Sequence, residues 1–172
     1  MYPPVRINGE EYGCGNRLDC NASAAYSVAW DALRFTGEDF AARAEALMQL
    51  KGIDQEGCPL EEGEGVRCRA GSTAFWMTWD GRMLPCGMMP GPETYPLEVG
   101  FDAAWDELRS RTAQLPNPTK CVGCKYRNFC SVCSAVCVSE TGRFDGVPEY
   151  VCRMTEQTAY YTEQAYQEGK GE

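Results

Sequence analysis

Apolar residues recur at helical spacing in several parts of the chain and alternate in one. Phe40, Ala44, Leu47 and Met48 fall on one face of a helix. Thr36 and Asp39 of the preceding "TGED" have the spacing of a capping box that would open it. A helix from about Asn21 to Phe35 comes just before. Farther on, "GFDAAWDELRSRTAQL" places Phe101, Ala104, Trp105 and Leu108 on one side of an amphipathic helix. A tail helix after Cys152 does the same with Met154, Thr158, Tyr161 and Ala165. The alternating stretch is "FWMTWDGRMLPC": Phe75, Met77 and Trp79 point one way, Trp76 and Thr78 the other. Asp80-Gly81 reads as a two-residue hairpin turn, a register that sets Cys86 opposite Phe75. Phe40, Ala44, Leu47 and Met48, with Trp76, Trp79 and Trp105, are expected in the core.

Breakers separate the elements. Pro3, Pro4, Gly9, Gly13 and Gly15 make residues 1–20 irregular or extended. The acidic, glycine-rich "GIDQEGCPLEEGEG" is a loop or boundary, which divides the chain into an N-terminal arm with a two-helix linker, residues 1–57, and a cysteine-rich region, residues 58–172. Pro90, Pro92 and Pro96 mark a further loop, "PNPTK" ends the amphipathic helix, and "ETGRFDGVPEY" is a turn-rich connection to Cys152. The expected fold is small and α+β: a short β-hairpin, several helices, and cysteine-rich loops organised around two metal clusters.

Charge and composition narrow the function. The net charge of −9 argues against nucleic acid, whose phosphates call for a basic surface. The local basic group Lys120, Lys125, Arg127 and Arg143 surrounds cysteines and reads as compensation for buried thiolates. No run is apolar enough to span a membrane and no signal peptide is visible at the start, so a cytoplasmic protein is expected. The chain has no histidine. That removes Ser-His-Asp and Cys-His catalysis and imidazole-bound zinc. Any metal must be held by cysteine, with carboxylate as the only helper.

Eleven cysteines are far above ordinary usage. An odd count in Cys-x2-Cys pairs fits a disulfide framework badly. In "CVGCKYRNFCSVCSAVC", Cys121, Cys124, Cys130, Cys133 and Cys137 are separated by two, five, two and three residues. Cys68, Cys86 and Cys152 bring the set to eight, enough for two four-thiolate sites that share the dense segment, and Cys58 is a ninth candidate. Zinc and iron-sulfur clusters both accept four thiolates, so ligand type leaves both open. Cys130, Cys133 and Cys137 repeat the second half of the bacterial ferredoxin run, with Val138 where that run has proline. Cys121-Val-Gly-Cys124 also has the form of a redox thiol pair, but crowding by other cysteines favours ligation. Cys14 and Cys20 read as free thiols.

These spacings resemble the SPASM domain, the auxiliary-cluster domain at the C-terminal end of many radical SAM enzymes. Cys68, twelve residues, Gly81, four residues and Cys86 fit the first part of its pattern, Cys121, Cys124 and Cys130 the second, and Cys152 the last cysteine. "FWMTWDGRMLPCGMMP" and "CKYRNFC" are similar to that family as well. The family's next clustered cysteine would fall on Ser134, so Cys133 takes the role, with Cys137 as alternate.

The resemblance implies two 4Fe-4S clusters. One would use Cys68, Cys86 and Cys133 with Cys58 or an open iron position. The other would use Cys121, Cys124, Cys130 and Cys152. It implies as partners a radical SAM barrel, on the same or a separate chain, and a peptide or protein substrate. The Cys-x3-Cys-x2-Cys triplet that binds the S-adenosylmethionine cluster is missing, because Cys133-x3-Cys137 is followed by Glu140 at the needed position. The chain alone is therefore not expected to cleave S-adenosylmethionine, and "MYPP" reads like a stretch following a barrel. The alternative class is a structural zinc module with two four-cysteine sites.

Overall fold

A computed structural model describes residues 5–7, 10–50, 53, 66 and 68–169. Cys58 and most of the acidic loop fall outside the described residues. The chain opens with an antiparallel pair, β1 (Val5–Ile7) and β2 (Glu10–Tyr12), where extended or irregular backbone is expected. A turn of 3-10 helix, Cys14–Asn16, leads to α1 (Cys20–Arg34), and α2 (Gly37–Gln49) follows directly.

Both helices begin where their caps dictate. The Asp19 carboxylate accepts from the Asn21 and Ala22 amides, so two of the orphan N–H groups of α1 are satisfied. The Thr36 hydroxyl oxygen accepts from the Asp39 amide at 3.2 Å and the hydroxyl donates to the Asp39 carboxylate at 2.6 Å. Half of the expected capping box is therefore formed: Thr36 caps the Asp39 amide, while the Asp39 carboxylate accepts from the Thr36 hydroxyl in place of the Thr36 backbone amide.

The second hairpin pairs β3 (Trp76–Met77) with β4 (Met83–Leu84). Its register is Trp76 to Leu84 and Met77 to Met83, one residue off the expected one, so residue 85 and not Cys86 lies across from Phe75. The reason is local. Gly81 has φ +85° and its amide donates to Thr78 O, while the Thr78 amide donates to Arg82 O, so the turn uses three residues with Gly81 in the left-handed region. Arg82 binds Asp80 at 2.9 Å and Glu93 at 3.0 Å, fastening the turn to the next segment. Met83 exchanges backbone hydrogen bonds with Thr94. Trp79, in the turn, is 97% exposed and Trp76, on β3, 55%, so neither belongs to the core. Trp105 is half-buried and its ring meets Phe75.

After the short α3 (Pro96–Val99), which the proline-marked loop does not announce, α4 (Phe101–Ala113) buries Ala104 and Leu108 fully. Then come α5 (Thr119–Val122) and α6 (Ser134–Thr141), both inside the cysteine-rich segment, and α7 (Glu149–Gly169). Gly142, at φ +78°, ends α6 by donating to Val138 O. The long α7 packs along α1 and α2. Val28, Phe40, Ala44 and Tyr166 form their common core, with Met48, Tyr161 and Ala165 against it. Arg17 adds a link at the other end: it pairs with Glu140 at 2.8 Å, both side chains nearly buried, and lies over the Tyr150 ring. Helices plus two antiparallel hairpins make the fold α+β. Among the described residues no helix is long and apolar enough to cross a membrane.

Leu108 is completely buried and Leu97, 83% exposed, sits a short distance away in sequence. Leu108→Ala should lower unfolding stability by about 2–5 kcal/mol in denaturant titration, while Leu97→Ala should leave it within about 0.5 kcal/mol. Equal effects would mean the core is misplaced.

Candidate metal centre

Three segments bring cysteines together. Thr119 to Val122 form one helical turn at Cys121, and a run of turns follows in which the Cys124 amide donates to Cys121 O and the Arg127 amide to Cys124 O. The Cys130 amide closes the run on Tyr126 O. The third segment is the first turn of α7. Pro148, whose carbonyl accepts from the Cys152 amide, starts that helix before Cys152, so Cys152 is a helical residue and not the end of a loop.

Cys121, Cys124, Cys130 and Cys152 line a single cavity with Lys120, Tyr126, Arg127, Val132, Thr155 and Glu156. Among the described residues no three Cys, Asp or Glu side chains converge tightly enough to hold one metal ion.

Electrostatics at the cavity follow from burial. It raises the Cys121 thiol above its ordinary range, opposed chiefly by the Arg127 guanidinium, and it pushes Cys152 up to about 11, with Cys121 adding and Lys120 opposing. Arg127 also donates to Val132 O at 3.2 Å, which fixes the guanidinium beside the loop. Of the four expected compensating cations, Lys120 and Arg127 act on these thiols. Lys125 lies over the Tyr126 ring, and Arg143 is paired with Asp145 at 2.6 Å on the surface.

The other cysteines are distributed less tightly. Cys86 and Cys133 both pack against the apolar cluster of Met89, Leu115 and Ala135. Val66, two residues before Cys68, joins the same cluster, while Cys68 itself is exposed. "RAGST" turns back on itself, with the Ser72, Thr73 and Ala74 amides all donating to Arg69 O. Cys68 and Cys86 share a local geometry: the amide two residues on, Ala70 or Met88, donates to each sulfur at 3.5 Å.

Cys137, 1% exposed on α6, has Cys121, Cys133 and Cys130 as electrostatic neighbours, and burial pushes its thiol up to about 12. It therefore lies near both Cys133 and the cavity cysteines Cys121 and Cys130. Cys20 begins α1 and donates to Tyr150 O at 3.6 Å, away from the cavity lining. Sequence reading missed Thr155 and Glu156. Their signal is their spacing of three and four residues from Cys152, which counts only once the helix is known to include that cysteine.

The raised thiols set a pH dependence. In the unfolded chain they ionise near their ordinary value of 9, so the metal-free fold keeps their contribution below about pH 9 and loses it as pH rises through 11 to 12. In the reduced, metal-free protein at pH 8, iodoacetamide should label exposed Cys68 first and Cys137 last, with a rate difference of about a hundredfold or more in peptide mass spectrometry. Comparable rates would contradict the burial of Cys137. No family model, curated protein or solved structure matches the chain.

Proposed function

We propose that the chain binds two 4Fe-4S clusters and serves as the auxiliary-cluster part of a radical SAM enzyme that modifies peptides or proteins. The observation that carries this reading is the cavity lined by Cys121, Cys124, Cys130 and Cys152, the same four cysteines that the resemblance assigns to one cluster. Their donor set suits the group: four thiols, no imidazole in the chain, and two cations at hand to offset thiolate charge.

When bound, a 4Fe-4S cluster supplies one-electron transfer at a potential set by its surroundings. Cys121, Cys124, Cys130 and Cys152 would hold one such group, and α7 would be tied through Cys152 to the loop. Lys120 and Arg127 would balance part of the added negative charge. Cys68, Cys86 and Cys133, the last two sharing an apolar cluster, would hold the second, with Cys58 or an open iron position as the fourth and Cys137 as the alternate to Cys133. A radical SAM barrel would act on S-adenosylmethionine, since this chain has no Cys-x3-Cys-x2-Cys triplet. The substrate would be a peptide or protein.

Anaerobically purified protein should be brown and contain about eight iron and eight sulfide per chain. Cys130→Ala and Cys152→Ala should each remove about half of both, and Cys20→Ala should remove none. Two zinc atoms without labile sulfide would replace this reading with a structural zinc module.

A further inference from the structure

The lining of the thiol cavity includes a side-chain hydroxyl from α7. Thr155 lies three residues after Cys152, so both point from one helix face toward the cysteine loop. The Thr155 Oγ1 is 3.3 Å from Cys130 Sγ and 2.9 Å from Val151 O, and the residue is 7% exposed. Thr158 and Thr162 on the same helix donate to the carbonyl four residues back, at 2.8 and 2.7 Å. The sulfur contact is what sets Thr155 apart.

A threonine hydroxyl has one proton to give and two lone pairs. While Cys130 is a thiol, its S–H can point at Oγ1 and the Thr155 proton can remain on Val151 O. Once the sulfur has lost its proton it accepts only, and the single proton between the two groups belongs to Thr155. Turning that proton to sulfur leaves Val151 O with its helical backbone partner. Burial keeps water from competing for the thiolate and strengthens the bond.

We infer that Thr155 donates its hydroxyl proton to the Cys130 thiolate and, acting through that ligand, raises the reduction potential of the cluster at this cavity. The inference rests on the proposed cluster binding. An electron added to a thiolate-ligated cluster increases negative charge on the ligand sulfurs, so a hydrogen bond to one of them favours the reduced form. Thr155 is thus a positioning residue, and its effect is confined to one of the two centres.

The test is a redox titration of the anaerobically purified full chain, followed by electron paramagnetic resonance. Thr155→Val keeps the shape and removes the hydroxyl, Thr155→Ser keeps the hydroxyl, and Thr158→Val is the control. Thr155→Val should move the midpoint of one centre to more negative potential with iron and sulfide content unchanged. Thr155→Ser should hold the wild-type midpoint and Thr158→Val should move neither centre. An unmoved midpoint in Thr155→Val, or an equal shift in Thr155→Ser, would overturn the inference. If Thr155→Val does not fold by circular dichroism, Thr155→Ala takes its place under the same criterion. Wild-type protein lacking iron and sulfide would defeat the proposed function and this inference with it, whereas intact clusters with an unmoved midpoint would defeat this inference alone.

Discussion

The seating of the first turn of α7 against the cysteine-rich loop is the contact on which both halves of the molecule depend. Downstream of that turn, the apolar stripe ending at Tyr166 packs α7 onto α1 and α2. Within it, Cys152 and Thr155 face the loop carrying Cys121, Cys124 and Cys130. A rotation of α7 about its axis would disturb the three-helix core and the cavity together. The Arg17 guanidinium, held between Glu140 and the Tyr150 ring, anchors the same end of the helix from the N-terminal side.

Burial at that contact has an electrostatic consequence. Thiols in an apolar surround resist ionisation, yet metal ligation needs thiolate. Arg127 and Lys120 oppose that penalty at Cys121 and Cys152. At Cys68 and Cys86 each sulfur instead accepts from a backbone amide two residues on.

Much of the helical frame is legible in the sequence, because caps and period act locally. Thr36 with Asp39, and the Phe40, Ala44, Leu47 stripe, need no tertiary information. The hairpin is legible as an element but not in register, since Asp80-Gly81 is compatible with either a two- or a three-residue turn and only the left-handed Gly81 selects the longer one. Trp76 and Trp79 mislead because hydrophobicity alone does not say how much of a two-stranded ribbon and its turn is covered by the rest of the chain. The start of α7 is obscured by Pro148, which reads as a breaker although proline suits the entrance to a helix. That one misplacement hides Thr155 from the candidate site. The grouping of Cys121, Cys124 and Cys130 follows from their closeness in sequence, whereas the arrival of Cys152 depends on packing across the whole fold.

Cys152 is also made after Cys121, Cys124 and Cys130. During vectorial synthesis the thiol-lined cavity stays open on one side until α7 has left the ribosome, and α1 and α2 wait for the same helix to cover their shared apolar face. Completion of the cavity and consolidation of the three-helix core are therefore coupled in time through α7.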